Sequence, residues 1–321
     1  MSTGGGTRAI VAALAANMGI AVAKFVGFAV TGSSAMLAEA AHSVADSGNQ
    51  GLLLLGGRRA RREADEAHPF GYGRDRYFYA FVVALVLFSL GSLFSLYEGW
   101  HKLGESESLS SPGVAVAILL VAIVLEGYSL RTAVKESNDV RGAATWAQFI
   151  RRAKAPELPI VLLEDSAALV GLVFALSGVV LASGTGDPVW DAVGTIAIGA
   201  LLGVIAVVLI IETKSLLIGE AASPDALDRI RAALVGQGID RVIHLRTLHL
   251  GPEELLVAAK VAMARTTSLE RVAAAIDEAE RRVRAAEPAA RVIYLEPDLD
   301  RAPLALRRRD PGTPTFADPL V

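Results

Sequence analysis

The chain has 321 residues, of which 53% are hydrophobic, with a formal net charge of −3 and no cysteine. A mean hydropathy of +0.45 is too apolar for an ordinary soluble domain of this length, and the excess lies before residue 220. The small net charge argues against nucleic acid as a partner, and the lack of cysteine excludes disulfides and thiolate metal sites.

The opening "MSTGGGTRAI" lacks the basic segment and cleavage site of a signal peptide, so the first apolar stretch reads as a permanent span. Crossing a bilayer takes about 20 mostly apolar residues. Six stretches qualify: 9–30, 34–57, 77–101, 113–134, 159–183 and 189–218. Loop charge orients them. "RRARRE" follows the second stretch, and the connection from the fourth to the fifth carries Arg131, Lys135, Arg141, Arg151, Arg152 and Lys154. "TGSS", "KLGESESLSSP" and "SGTGD" hold one Lys between them. The positive-inside rule then puts both termini of a multi-pass protein in the cytoplasm.

The second stretch contains "AEAAHSVADSGNQ", with Glu39, His42 and Asp46 at membrane depth. A charge near the bilayer centre costs about 2.5–3.5 kcal/mol on insertion scales, so such groups are functional by default. His42, Asp46 and Gln50 recur at four-residue steps and share one helix face. The Cβ atoms of His42 and Asp46 are then about 5–6 Å apart, close enough to share one ion. Ser43, Ser47 and Gly51 form a second wall of small residues that lets a neighbouring helix approach.

In the fifth stretch, "VLLEDSAALVG" sets Glu164 beside Asp165. Neighbours lie about 100° apart around a helix, so only one of them points fully at the second span. A His, an Asp and one further carboxylate make three ligands with room for a fourth, the pattern of an exchangeable divalent site. The imidazole favours Zn, Fe, Co or Ni over Mg and Ca. Asn17 is placed to orient a carboxylate or hold a water. Lys24 and Glu39 read as a structural ion pair toward the outer helix ends, and Glu126 as either a proton relay or a group facing a polar bundle centre.

Beyond residue 220 the composition becomes that of a soluble unit. "SPDALDRIRAALVGQ" predicts a helix capped by Ser223, and "RVIHLRTLHL" and "ELLVAAKVAM" predict strands joined by "GPE". "SLERVAAAIDEAERRVRAA" predicts an amphipathic helix with Leu269, Val272, Ile276 and Val283 inward, and "RVIYLEP" a closing strand. The fold expected is therefore an all-α six-helix transmembrane bundle (1–219) followed by a small cytoplasmic α+β domain (220–298). That domain has the order αββαβ, ferredoxin-like or metallochaperone-like, with an antiparallel sheet that serves for dimerisation. The segment 299–321, rich in Pro, Gly and charge, reads as a disordered tail.

Taken together, "AEAAHSVADSGNQ", "HPFGYGRDRYFYAF", "LLEDSAALVG", "GDPVWDAVGTIAIGALLG" and "HLRTLHLGPEELLVAAKV" resemble the cation diffusion facilitator family, in the branch that includes the animal mitochondrial zinc transporter. The resemblance implies a homodimeric secondary transporter, not an enzyme. It would export Zn²⁺, or else Fe²⁺, Mn²⁺, Co²⁺ or Cd²⁺, as substrate in exchange for protons, with no prosthetic group. It implies metal ligands at His42, Asp46 and Asp165. The remaining family position falls on Val161, which has no donor atom, so Glu164, Asn17 or a water completes the shell. His42, with an ordinary imidazole pKa of about 6.5, is the implied proton-coupling residue. Accessory family sites are degraded. Asp65 and His68 match loop positions whose third member is Tyr72, and His244 matches a ligand whose companions are Ala259, Tyr294 and Glu296. "HPFGYGRDRY" reads as shaping the turn into the third span, and His249 as a sheet-surface histidine.

A membrane-embedded metal sensor and an intramembrane metalloenzyme are the alternatives. No HExxH pairing supports the enzyme, and the poor ligand set after residue 220 weakens the sensor. The wealth of Ala, Gly and Arg, without a mitochondrial presequence, points to a bacterial plasma membrane.

Overall fold

The structure, a computed structural model, describes residues 3–104 and 111–299, with side chains from Asn17 onward. The tail from residue 300, and most of the loop "KLGESESLSSP", lie outside the described residues. The described residues divide into two compact units, those up to Glu220 with His249–Glu254, and Ala221–Leu248 with 255–299.

The first unit is helical: α1 (Thr3–Thr31), α2 (Ser34–Arg59), α3 (Asp75–Val86), α4 (Phe94–Lys102), α5 (Pro112–Arg141), α6 (Trp146–Arg152), α7 (Glu157–Thr185) and α8 (Val189–Ile218). Wide π-type turns over Leu87–Leu93 join α3 and α4 into one rod, Asp75–Lys102. Among the described residues, four helices are long and apolar enough to cross a membrane: Asp75–Lys102, α5, α7 and α8. The other two expected spans fall short of that measure. The described apolar part of α1 is the shorter Asn17–Thr31, and α2 carries three ionisable groups in its middle.

Local chemistry explains the helix boundaries. Gly32 takes a φ of 69° between α1 and α2, and the Ser33 hydroxyl caps α2 by accepting from the Met36 N–H at 3.2 Å. A buried carboxylate reinforces this end. Asp191 of α8 accepts from the Ser33 hydroxyl at 2.6 Å, and from the Ser34 N–H at 2.7 Å and hydroxyl at 2.9 Å. The short α6 was not expected, although Thr145 and Gln148 spell out the reciprocal capping box that starts it.

The core of this unit is built from Met36, Leu87, Leu119, Ile160, Leu172, Ile198, Leu202 and Leu209. Val124, Tyr128, Val204 and Ile211 point outward, an apolar exterior suited to lipid. At the α7–α8 crossing, a Cβ on Gly178 would lie 2.9 Å from the Trp190 carbonyl oxygen, and one on Gly194 3.0 Å from that of Phe174, so only glycine permits this approach. The small-residue wall on α2 is partly as expected: Ser43 and Ser47 are buried, but Gly51 is exposed. Gly56 makes the tight contact instead, against the Tyr79 ring.

After α8 the chain runs α9 (Pro224–Leu234), β1 (Arg241–Gly251), β2 (Glu254–Met263), α10 (Leu269–Ala286) and β3 (Val292–Leu299). Ser223 caps α9 by accepting from the Ala226 N–H. Ile230 and Leu234 of α9 and Ala275, Ala279 and Val283 of α10 share a core with Val257 and Val261 of β2. The strand order is β1-β2-β3. The expected antiparallel sheet is corrected here, because β3 runs parallel to β2, from Leu256 opposite Val292 to Met263 opposite Leu299. A helix between two strands carries the chain back to the starting edge, which makes the second strand parallel to the first. Leu269, expected inward, is 83% exposed at the first turn of α10. His249 is buried rather than on a sheet surface.

Candidate metal centre

Helical spacing on α2 brings His42 and Asp46 together: imidazole Nδ1 stands 3.5 Å from Asp46 Oδ1, with His42 fully inside and Asp46 14% exposed. At that separation the two are neighbours without a hydrogen bond. One turn further, Asn49 Nδ2 donates to Glu164 Oε1 of α7 at 2.7 Å. Asp165, next in the chain, turns to α5 and accepts from the Ser129 hydroxyl at 2.8 Å. Of the adjacent acids, Glu164 is therefore the one that faces α2. Asp165, the position matched by family resemblance, is held on the other side. Glu126, Glu164 and Asp165 all lie within electrostatic range of Asp46. Val161 belongs to an apolar cluster with Ala133, Phe149 and Leu162. Asn17 is half-buried on α1.

Among the described residues, no group of three or more His, Asp or Glu side chains is gathered tightly enough to hold a metal ion. What the region does hold is a row of buried atoms without hydrogen-bond partners: Nδ1 and Nε2 of His42, Oδ1 of Asp46, Oδ1 of Asn49 and Oε1 of Gln50. Buried polar atoms are normally satisfied. Imidazole nitrogen, carboxylate oxygen and amide oxygen all offer lone pairs, so the partner this row suits is a cation.

Sequence reasoning missed Asn49 and Ser129. The signal for Asn49 was present, because position 49 follows 42 and 46 at the i, i+4, i+7 spacing of one stripe. Ser129 follows Glu126 at i+3 but carries no signal of its own. The expected Lys24–Glu39 ion pair forms, with Nζ 3.0 Å from Oε2, and Lys24 also donates to the Ser43 hydroxyl at 2.8 Å.

The accessory positions resolve into other uses. In the loop after α2, Asp65 accepts from the Tyr72 hydroxyl at 2.6 Å and from the His68 N–H at 2.7 Å, and the His68 and Tyr72 rings lie 4.3 Å apart. The Tyr72 hydrogen bond, foremost, holds the Asp65 carboxyl below the usual carboxylate range. The second unit does bring His244, Ala259, Tyr294 and Glu296 around one open cavity of about 380 Å³. Glu296 is engaged there by Lys260 at 2.7 Å, and this bond raises the lysine's pKa.

A multi-helix membrane unit with a buried His–carboxylate stripe, followed by a small sheet domain, defines a polytopic membrane protein of metal-handling type. The family model described as cation efflux transmembrane domain matches residues 10–218, and the chain belongs to this cation efflux, or cation diffusion facilitator, family of metal transporters. Its members are transporters rather than enzymes, which removes the metalloenzyme alternative. Similar proteins include the proton-coupled zinc antiporter SLC30A9, mitochondrial, of Xenopus laevis, 34% identical over 74% of this chain and 43% of its own. Metal tolerance protein C4 of Arabidopsis thaliana is 31% identical over 79% of this chain and 56% of its own. The metal cation efflux system protein CzcD of Cupriavidus metallidurans is 30% identical over 46% of this chain and 48% of its own. The chain thus spans about half the length of these curated relatives.

Proposed function

We propose that this chain exports a divalent metal cation, Zn²⁺ foremost, from the cytoplasm by proton antiport through a site between α2 and α7. His42, Asp46, Glu164 and Asp165 are its ligands, and Asn49 orients Glu164. The observation that carries this reading is the row of unpartnered lone-pair atoms on α2 at the level of the two acids on α7. The name of the Xenopus relative supports zinc and proton coupling, and that of the Arabidopsis relative supports a metal.

Metal binding needs a neutral imidazole and ionised carboxylates, so protons and metal compete for the same atoms. In the proposed cycle the cation enters from the cytoplasmic end, where α2 ends in Arg58 and Arg59. It binds at His42 and Asp46 and is released on the far side as protons replace it. Alternating access comes from rocking of helix groups around a fixed site at mid-membrane. We further propose that α1 and α2 cross the bilayer with the four apolar helices. A polar α2 is tolerated because its ionisable face is turned into the bundle. Both termini then lie on the cytoplasmic side, of a bacterial plasma membrane by composition, and the α+β domain joins two chains as a homodimer.

The test is zinc flux into proteoliposomes under an imposed pH gradient, for wild type and Asp46→Ala, with Mn²⁺ as comparison. Proton-driven zinc uptake that disappears in the variant supports the site and the antiport. Normal uptake by Asp46→Ala overturns the site. Tight zinc binding without flux turns the reading to a sensor.

A further inference from the structure

Beyond His42, toward the N-terminal end of α2, the same stripe continues to Glu39, which is fully buried. Glu39 precedes His42 by three residues and Asp46 by seven, so the three share a face, with an axial rise of about 4.5 Å from Glu39 to His42. Only one of its oxygens is used. Oε2 pairs with the Lys24 ammonium at 3.0 Å, while Oε1 has no hydrogen-bond partner. Oε1 points at α7 where that helix has Gly171, and a Cβ there would lie 2.6 Å from it. The free oxygen thus extends the row of unpartnered lone pairs from Gln50 to Glu39 along one helix face.

An isolated buried carboxylate is strongly disfavoured, and a lysine on the neighbouring helix cures this with a single charge. Lys24 is itself fully buried and is additionally held by Ser43, so the ammonium is tethered beside the carboxylate, and its charge reaches His42 and Asp46. A dication arriving from His42 brings twice that charge and finds a free oxygen already in place.

We propose that Glu39 is an exit subsite for the transported dication, closed in the resting protein by the tethered ammonium of Lys24. This rests on the transport reading above and extends its path by one step toward the far side. Lys24 stands in for the metal at Oε2 without trapping cargo there. When metal reaches Oε1, the ammonium leaves Oε2 for its remaining partner, Ser43. Gly171 is what lets Oε1 lie this close to α7, so a side chain there would displace the free oxygen.

The test uses the full chain, in proteoliposomes for flux and in detergent for the count of zinc bound at equilibrium. Glu39→Gln and Gly171→Ala are expected to lower maximal zinc flux by about tenfold while leaving half-saturation near the wild-type value, as for groups used in the passage rather than in loading. Lys24→Met is expected to bind about one further zinc ion per chain, and Lys24→Met with Glu39→Gln to lose it again. Equal zinc counts in the single and double variants overturn the subsite. If Lys24→Met does not fold, Gly171→Ala decides, since it keeps every charge; wild-type maximal flux in that variant overturns the proposal. Normal flux in Asp46→Ala would instead overturn the His42–Asp46 site on which this proposal rests, so the two failures are distinguishable.

Discussion

Asn49 of α2 donates a 2.7 Å hydrogen bond to Glu164 of α7, tying the face that carries His42 and Asp46 to an acid on the opposite helix. The bond fixes which oxygen of Glu164 is free to meet a cation and holds its carboxylate toward α2. Groups that orient a ligand typically contribute 10–100-fold to metal affinity. Asn49→Ala is therefore expected to weaken zinc binding by about that factor in calorimetric titrations, with flux retained at saturating zinc. Unchanged affinity would mean the bond serves helix packing alone.

At the other end of α2, Asp191 accepts three hydrogen bonds from Ser33 and Ser34 and is itself fully buried. The carboxylate also sits at a helix N-terminus, where negative charge is favoured. Asp191→Ala would leave the Ser33 hydroxyl and the Ser34 N–H without this acceptor, each costing about 1–3 kcal/mol, while the Ser34 hydroxyl keeps Thr195 at 2.9 Å. The unfolding temperature in detergent should fall by roughly 5 °C or more, and Asp191→Asn, which keeps one acceptor oxygen, should lose less. A change under 1 °C in Asp191→Ala would show that the clasp contributes little.

Much of this architecture was readable because hydrophobic length and four-residue spacing are local signals. The His42–Asp46 pair, the Lys24–Glu39 pair and the loop role of "HPFGYGRDRY" follow from such spacing or from residue type. What the sequence hid depended on partners far along the chain. The division of labour between Glu164 and Asp165 is set by Asn49 and Ser129, on two different helices. The parallel pairing of β3 with β2 follows from where α10 returns the chain, which strand composition does not encode. Gly56, rather than Gly51, makes the close contact because Tyr79 stands opposite it.

The loop between α2 and α3 offers a test with a defined sign. The Asp65 carboxyl is held below its ordinary range by the Tyr72 hydroxyl. Its bonds therefore contribute above the unfolded carboxylate pKa of about 3.9 and are lost as pH falls through the lower folded value. Tyr72→Phe should move the Asp65 titration upward, as followed by carboxyl ¹³C NMR. Between pH 5 and 8 Asp65 stays ionised in both proteins, so zinc flux in that window should be the same for both. A flux difference confined to Tyr72→Phe would give the loop a part in transport that its closed bonding pattern does not suggest.

The cavity around His244 is where a bound zinc cluster would be sought, and its chemistry argues against one. Zinc needs three or four nitrogen, oxygen or sulfur ligands. Ala259 supplies no donor, and Glu296 is engaged by Lys260, which also lies 3.6 Å from Asp298. An imidazole and a phenol remain, with an ammonium close by to repel a dication. His244→Ala should therefore bind as many zinc ions per chain as wild type and transport at the same rate. Loss of one zinc per chain in that variant, with the His42 site intact, would mean that Lys260 gives up Glu296 to the metal. The pair Lys260→Ala and Lys260→Arg would separate that exchange from simple packing, since only the alanine variant frees the carboxylate.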